Sequence, residues 1–227
     1  MNRKNHRSTR RLVALALFAA LAFVCTSLMH IKVAFLTFDA KDAVMAVAGM
    51  FFGPASAAIL SFLVPTLELF TFGADTGLYG FIMNIASSAA FSVTAALIYK
   101  YRKTLGGALF ALGTAIVSVT AVMMVMNLLV TPYFMGTTVD DVVALIPTLL
   151  LPFNLTKALL NAALVLVLYK PIATALRRTR MVESGAPSES YRLRGRTLVM
   201  LLLGVALLVV SVLRFVFVLK GQFVLWE

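Results

Sequence analysis

Three polar residues interrupt a long apolar stretch in the last third of the sequence. Asn154, Lys157 and Asn161 lie within residues 145–170, "LIPTLLLPFNLTKALLNAALVLVLYK". Because they are three and four residues apart, a helix places their side chains on one face, within about 60°. One ammonium group and two amides on the same face can supply hydrogen bonds to a buried polar partner. The stretch therefore predicts a helix whose polar face points into a bundle.

Lys157 is costly in this sequence because the chain is so apolar. Of the 227 residues, 61% are hydrophobic and 13% are charged, unlike a soluble domain. Several apolar stretches reach the ~18–20 residues that cross a ~30 Å hydrocarbon core as a helix. A cation at the centre of such a helix costs about 2.5–3.5 kcal/mol, so an intramembrane lysine indicates a functional site. We therefore predict an all-α, polytopic membrane protein.

Polar breaks divide the apolar sequence into helices that must position these residues. The predicted helices cover about 12–29, 42–52, 55–72, 78–98, 105–130 and 142–169. The segment "FFGP" at 51–54 divides an apolar run of about 45 Å, because Gly and Pro end one helix and begin the next. The second helix is too short to cross alone and must tilt, extend or contact its neighbours. These six helices form the predicted substrate-binding domain, residues 1–181.

A seventh apolar run follows a basic and polar linker. The linker covers residues 182–196, and the last predicted domain, 197–227, contains one more span and a short tail. Ser211 and Arg214 are the polar residues of this span, and the arginine can extend toward the interface. We interpret the span as an appended membrane anchor. Deletion of the linker and this domain is therefore expected to leave ligand binding intact.

The formal net charge of +11 reflects the predicted topology and does not indicate nucleic-acid binding. With six crossings before the linker, most of the 20 Lys and Arg residues lie on one side of the membrane. The positive-inside rule places that side and the N-terminus in the cytoplasm. Lys32, Lys41 and Lys220 are predicted outside, whereas Lys157 and Arg214 lie within spans. We expect a multi-pass protein of the cell membrane, surrounded by the lipid bilayer.

The polar side chains inside the spans allow two interpretations. In the first, Asn154 and Asn161 form interhelical hydrogen bonds, and Lys157 pairs with a carboxylate such as Glu68. In the second, they line a cavity, open to the outside, with other polar side chains at similar depth. Those side chains are Glu68, Thr71, Asn84, Ser88, Asn127 and Thr131. The residue types alone leave both interpretations open.

The sequence lacks the motifs of common catalytic and energy-coupling sites. It has no G-x-x-x-x-G-K-[ST] or H-E-x-x-H segment, and His6 and His30 flank opposite ends of the first helix. Glu68 is the only acidic residue well inside a predicted span, so the row of carboxylates used in a proton relay is also missing. We therefore predict that the protein is not an enzyme, holds no metal or cofactor and requires partners for active transport.

Five segments between residues 36 and 161 resemble a known family. In chain order they are "LTFDAKD", "FFGP", "TGLYGFIMN", "MNLLVTPYFMG" and "LLPFNLTKALLN". They resemble the riboflavin-specific S components of energy-coupling-factor (ECF) transporters. The resemblance implies a small six-helix vitamin binder that works with a separate transmembrane scaffold subunit and two ATPase subunits. It implies riboflavin as a transported ligand and does not extend to residues 182–227.

The resemblance also implies roles for individual residues. Asn154 and Lys157 would contact the polar edge of the flavin ring, and apolar side chains would cover its faces. The ribityl hydroxyls require neutral partners, for which we expect Asn84, Asn127 and Thr131. The segment "LTFDAKD" resembles the family's lid over the site. The predicted substrate-binding residues are Asn154, Lys157, Asn84, Asn127, Thr131, Glu68 and Asp42.

The first helix carries a candidate docking surface. Ala16 and Ala20 are one helical turn apart and resemble the family's A-x-x-x-A surface for the scaffold subunit. Small residues allow two helices to approach closely. Packing within the monomer is an equally weighted alternative.

Several alternatives to a riboflavin-binding subunit stay open. The protein could be an S component for another vitamin, although folate or pantothenate would require more cationic groups than Lys157 alone. Flavin mononucleotide is a further candidate ligand. From a different class, the protein could be a membrane-embedded enzyme or a stand-alone facilitator. A yellow purified protein would indicate a flavin binder, whereas product formation would indicate an enzyme.

Overall fold

The architecture is a bundle of α-helices with one very small sheet. In a computed structural model of the chain, the structure describes residues 3–29, 31–71, 76–178, 195–218 and 223–225. The helices are α1 Arg3–Leu28, α2 Lys41–Phe52, α3 Pro54–Thr71, α4 Gly77–Tyr101, α5 Leu105–Met135, α6 Val139–Leu145, α7 Leu151–Arg178 and α8 Gly195–Val218. The strands are β1 Ile31–Val33, β2 Leu36–Phe38 and β3 Phe223–Leu225. The predicted all-α, polytopic fold class is confirmed.

Five helical segments in the described part of the chain have the length and apolar composition of membrane spans. They are Thr9–Leu28, Pro54–Thr71, Gly77–Tyr101, Leu105–Met135 and Val139–Leu176. The sequence predicts seven spans, and the two helices that do not reach this length are α2 and the apolar part of α8, Leu198–Arg214. The protein is therefore a multi-pass membrane protein with two shorter helices added to five long ones.

The short helix α2 lies at the centre of the bundle. Its residues 41–50 are all buried, and it packs against α1, α3, α4 and α7. Gly53 ends the helix with φ 95°, a conformation that glycine adopts without steric cost, and Pro54 begins α3. The predicted break at "FFGP" is confirmed. Because protein surrounds α2, a helix of 12 residues does not have to match the thickness of the bilayer.

The predicted sixth helix is longer than expected and contains an irregular turn. A π-helical turn, Ile146–Leu150, joins α6 to α7 and includes Pro147. Proline has no backbone N–H, so the regular α-helical hydrogen-bonding pattern cannot continue unchanged through it. Such π turns inside α-helices are frequent at functional sites. Here the turn immediately precedes the stretch of α7 that carries Asn154 and Lys157.

The predicted outer loop after α1 folds as a β-hairpin, which we call the hairpin (residues 31–38). β1 and β2 pair antiparallel around a two-residue turn at Ala34 and Phe35. On its other edge, β1 pairs antiparallel with β3, so the strand order is β2-β1-β3. The sheet therefore joins two segments that are nearly 200 residues apart in the sequence.

The last helix packs on the bundle. α8 lies against α7, and Gly204 is at the contact: a Cβ atom added there would be 2.9 Å from Val167 Cγ2 and 3.2 Å from the carbonyl oxygen of Ala163. The predicted linker falls mainly outside the described residues, with its last two residues in α8. The domain division at residue 182 stays a prediction.

Candidate ligand-binding site

The polar face predicted for α7 points into the bundle. Asn154, Lys157 and Asn161 are 4%, 7% and 1% exposed, respectively. Apolar residues of the same helix, such as Phe153 and Leu160, are also buried. α7 packs against α2, α5 and α8, so the polar residues are enclosed by protein rather than lipid. This arrangement agrees with the helix-face prediction.

A cavity opens between the hairpin, α4, α5 and α7. Its lining from the hairpin and α7 consists of Phe35, Leu36, Thr37, Phe153, Asn154 and Lys157. Its lining from α4, α5 and the residue before α4 consists of Thr76, Tyr79, Gly80, Met83, Asn84, Ser87, Met123, Val130, Thr131 and Phe134. About half of the lining residues are aromatic or apolar and nearly as many are polar, so the cavity can hold a ligand with both an apolar and a polar part.

The structure brings most of the predicted site residues together. Asn84, Thr131, Asn154 and Lys157 line the cavity. Asp42 lines a smaller adjoining cavity. The residues that line this second cavity are Asp42, Ser87, Phe91, Val119, Asn154, Lys157, Ala158 and Asn161. Ser87, Asn154 and Lys157 line both cavities, so they lie where the two cavities meet.

Glu68 and Asn127 are buried but are not among the lining residues of either cavity. The Asn127 side chain donates from Nδ2 to the carbonyl oxygen of Met123 (2.7 Å) and accepts from Thr131 Oγ1 (3.0 Å). Asn127 therefore orients the hydroxyl of Thr131, which does line the cavity. Its predicted contribution is thus indirect in this geometry.

Lys157 binds the base of the hairpin. Its Nζ donates to Asp39 Oδ2 at 2.8 Å and to the carbonyl oxygen of Thr37 at 3.2 Å. A lysine ammonium has three N–H donors, so these two bonds leave one for a ligand. The structural alternative considered from sequence paired Lys157 with Glu68; the carboxylate partner in the structure is Asp39.

A second buried lysine extends this network. Lys41, 1% exposed, donates from Nζ to Glu68 Oε2 (2.5 Å) and to Asn84 Oδ1 (3.2 Å). It also lies 3.6 Å from Asp39 Oδ2. The sequence-based topology placed Lys41 in an outer loop, whereas the structure places it in the bundle at the start of α2. The network thereby connects the hairpin base to α3, α4 and α7.

The buried network has more carboxyl groups than lysines. It contains three carboxylates and two ammonium groups: Asp39, Asp42, Glu68, Lys41 and Lys157. Burial disfavours the charged form of Asp39, but the adjacent Lys157 and Lys41 ammonium groups outweigh burial and lower its pKa. Among the described residues, Asp39 Oδ1 and Glu68 Oε1 are buried without a hydrogen-bond partner. An unpartnered buried acceptor lowers stability, and each of these two oxygens can accept a further hydrogen bond.

The two asparagines of α7 differ in role. Asn161 Nδ2 donates to the carbonyl oxygen of Asp39 (3.2 Å), and its Oδ1 accepts from the backbone N–H of Ala43 (2.8 Å). The interpretation as an interhelical hydrogen bond is therefore correct for Asn161. Asn154 donates to the carbonyl oxygen of Leu150 (2.8 Å) and, unlike Asn161, lines the larger cavity.

Asp39 and Lys41 are not among the site residues predicted from the sequence. Both are nearly fully buried and contact candidate site residues directly. The signal was present in the dense charge of "DAKD" next to an apolar helix, because charged residues are seldom buried without partners. Their partners are distant in the sequence and could not be identified from it.

Ala16 and Ala20 lie on an exposed face of α1. The opposite face of α1 packs into the core through Ala14, Phe18 and Ala22. Within the described part of the chain, packing inside the monomer therefore leaves the two alanines exposed.

Metal binding has no candidate in the described part of the chain. No group of three or more His, Cys, Asp or Glu side chains there could hold a metal ion.

Comparisons with known proteins agree on one family. Residues 10–169 match the family described as "ECF transporter, substrate-specific component". A curated relative, "Riboflavin transporter RibU" of Staphylococcus aureus (strain TCH60), is 27% identical over 184 residues, which are 77% of this chain and 96% of the relative. A solved structure described as "Structure and mechanism of the S component of a bacterial ECF transporter" matches with a TM-score of 0.63 and 27% identity. It covers 75% of this chain and 99% of the matched chain.

Proposed function

The chain belongs to the family of substrate-specific components of ECF transporters, and from this premise we propose that it binds riboflavin in the cavity between the hairpin, α4, α5 and α7. A protein of this family is a vitamin-binding subunit of a membrane transporter. The similarity to a riboflavin transporter supports the finer assignment. The single observation that carries it is the juxtaposition of Asn154 and Lys157 on one wall of a cavity that aromatic, apolar and neutral polar side chains also line.

The chemistry of the flavin ring matches this cavity. Isoalloxazine is a flat, mostly apolar plate with carbonyl oxygens and ring nitrogens along one edge. Lys157 can donate its remaining N–H to that edge, and the amide of Asn154, one turn away, can both donate and accept. Tyr79, Phe134 and Phe153 supply aromatic surface for the faces of the plate.

The ribityl chain requires several neutral hydrogen-bonding partners. Asn84 and Thr131 line the cavity and are assigned to this role, with Asn127 orienting the Thr131 hydroxyl. Glu68 and Asp42 are assigned an indirect role. Glu68 holds Lys41, which in turn donates to Asn84, and Asp42 accepts a hydrogen bond from Ser88 at 2.6 Å.

Transport requires partner proteins in this proposal. The chain has no nucleotide-binding motif, so a scaffold subunit and ATPase subunits would supply the energy. The exposed Ala16 and Ala20 of α1 would contact the scaffold. The basic N-terminal segment favours a cytoplasmic N-terminus by the positive-inside rule. In that orientation the hairpin, at the other end of α1, lies on the outside.

A titration of the purified chain tests the ligand. We expect a yellow complex and saturable binding of riboflavin, with weaker binding of flavin mononucleotide because its phosphate adds two negative charges near a network already rich in carboxylates. Pantothenate and folate serve as carboxylated comparisons. Preference for one of them over riboflavin would contradict the ligand assignment while leaving the protein an S component. Conversion of any of these compounds into a product would instead indicate an enzyme.

Uptake in cells tests the need for partners. Cells lacking the scaffold and ATPase subunits should accumulate no riboflavin when they express this chain, and co-expression of those subunits should restore uptake. Robust concentrative uptake by the chain alone would contradict the proposal and favour a stand-alone transporter.

A further inference from the structure

The C-terminal segment contacts two of the elements that form the cavity. α8 packs along α7, which carries Asn154 and Lys157, and β3 pairs with β1 of the hairpin. We propose that α8 and β3 together position the hairpin over the cavity and thereby slow the release of bound ligand. The inference rests on the proposed function for the identity of the ligand. It assigns a role to a segment that lies beyond the residues matching the family, 10–169.

The first contact holds α8 at the height of the binding site. Arg214 Nε donates to Thr156 Oγ1 at 3.4 Å, and Thr156 immediately precedes Lys157. About two turns further along α7, at Ala163, the helices approach closely: a Cβ atom at position 204 would lie 3.2 Å from the carbonyl oxygen of Ala163. The end of α8 from which the chain continues to β3 therefore lies at the level of Lys157, on the face of α7 that carries Thr156, opposite its polar face.

The second contact completes the sheet of the hairpin. β1 and β2 have three residues each, and an isolated two-stranded hairpin of this kind is marginally stable. β3 adds a third strand with the register Ile31↔Leu225, Lys32↔Val224 and Val33↔Phe223. Its backbone hydrogen bonds occupy the edge of β1 that β2 leaves open, as in β-strand addition. β1 thus becomes the central strand.

The hairpin forms one wall of the cavity, so its position controls access. Phe35, Leu36 and Thr37 line the cavity, and the carbonyl oxygen of Thr37 accepts a hydrogen bond from Lys157. Movement of the hairpin away from α7 would open the cavity and break that bond. β3 pairs with β1 while the hairpin covers the cavity. Opening must therefore either break the β1–β3 hydrogen bonds or move β3 together with the hairpin. The pairing therefore raises the barrier to release.

A reversible cross-link tests the proposal in the full-length chain. Lys32→Cys and Val224→Cys, in a Cys25→Ser background, place two cysteines at directly paired positions, where a disulfide can form. We expect oxidation to slow riboflavin dissociation by about tenfold or more, since the local opening is suppressed, and reductant to restore the original rate. The matched controls are the two single-cysteine variants, whose release rates should not respond to oxidation.

A backbone substitution tests the opposite direction. Val224→Pro removes an N–H and disfavours strand pairing, whereas the control Val224→Thr retains strand propensity. We expect riboflavin dissociation about threefold to tenfold faster in the proline variant, as expected for the loss of one or two strand hydrogen bonds. A purely structural role would lower the unfolding temperature of the ligand-free protein and leave the dissociation rate unchanged.

The outcomes separate the two proposals. Failure of the disulfide to form, while a thiol reagent still labels both cysteines, would overturn the strand pairing. Formation of the disulfide without slower release would overturn the positioning role. If the chain does not bind riboflavin, the proposed function fails, and the labelling rate of Ser87→Cys, in the cavity wall, replaces the release rate as the measure of opening. A cross-link that leaves this labelling rate unchanged would overturn the positioning role independently of the ligand.

Discussion

The buried Lys157 ammonium group has both structural partners and a position in the cavity wall. It holds the Asp39 carboxylate and the Thr37 carbonyl oxygen, and it lines the cavity with its remaining donor. The ion pair with Asp39 reduces the cost of placing a cation at this depth. The hydrogen bond to Thr37 connects the same group to the hairpin. A change at this residue should therefore affect both stability and ligand affinity.

Lys157→Ala is expected to weaken riboflavin binding by about tenfold to a hundredfold, the range for loss of a hydrogen bond to a charged group. It should also destabilise the ligand-free protein, because removing one partner of a buried ion pair typically costs about 3–5 kcal/mol. Lys41, 3.6 Å from Asp39 Oδ2, still compensates part of the Asp39 charge, so the loss of stability should be near the lower end of this range. Thermal unfolding and a binding titration measure the two effects, and Lys170→Ala on the same helix is the matched control.

The double variant Lys157→Ala, Asp39→Asn separates the two effects. Neutralising Asp39 removes the uncompensated carboxylate, so stability should recover in part while affinity stays low. Recovery of affinity together with stability would show that Lys157 acts only through Asp39, and the assignment of Lys157 as a ligand-contacting residue would then be wrong.

At the scale of elements, the hairpin is short and carries local backbone strain. Ala34, in its two-residue turn, has φ 53°, in the left-handed region that favours glycine. A side chain with a Cβ atom raises the energy of this conformation. The closed hairpin is thus less stable than the same hairpin with glycine at position 34. Strain of this kind keeps opening energetically accessible.

Ala34→Gly is expected to stabilise the hairpin by about 1 kcal/mol, because glycine adopts the left-handed conformation without the steric cost. The riboflavin dissociation rate should fall by severalfold, as measured by displacement. Ala40→Gly is the control, since Ala40 has φ −109° before α2 and gains nothing from glycine. A faster release in Ala34→Gly would show that hairpin stability does not limit opening.

The C-terminal helix provides a second prediction at this scale. Deletion of residues 182–227 should preserve riboflavin binding, because every residue lining the cavities lies between Phe35 and Asn161. The dissociation rate should rise about tenfold, however, since the β1–β3 pairing is lost. Stopped-flow displacement and ligand-free thermal unfolding measure the two quantities. Loss of binding in a truncated protein that still folds would place α8 within the binding site and contradict the domain division.

At the scale of the whole molecule, the bundle has an exposed face on α1 that none of the described helices covers. Ala16 and Ala20 lie on this face of α1, with the exposed Leu12, Leu17 and Leu21 nearby. α8 packs mainly on α7. A stripe of small residues among larger ones allows another helix to approach closely. This geometry fits a transmembrane partner on the side of α1.

Ala16→Leu combined with Ala20→Leu is expected to prevent close approach of the scaffold subunit. Co-purification with the scaffold and ATPase subunits and riboflavin uptake should both fall by at least about tenfold, whereas riboflavin affinity of the isolated chain should be unchanged because the face is remote from the cavity. Ala58→Leu, on an exposed position of α3, is the matched control. Unchanged uptake would exclude this face as the docking surface.

The sequence by itself determined the features that depend on neighbouring residues. Apolar runs and the Gly53–Pro54 break set the helices, because helix formation and termination are governed by residues within one or two turns. The three-and-four spacing placed Asn154, Lys157 and Asn161 on one inward face for the same reason, and the structure confirmed it. The family could also be inferred from these segments, and the comparison over residues 10–169 confirmed it.

Only the tertiary structure decided which distant groups meet. The Lys157–Asp39 pair joins residues 118 positions apart, and Lys41 meets Glu68 across 27 positions; alternative charge pairings were equally compatible with the sequence. The pairing of β3 with β1 could not be predicted from the sequence either. Strands of three residues have almost no local sequence pattern, and their stability comes from the partner strand. A short apolar helix can lie at the surface or at the centre of a bundle, and its composition does not distinguish the two. Lys41 is part of the site because α2 is buried at the centre.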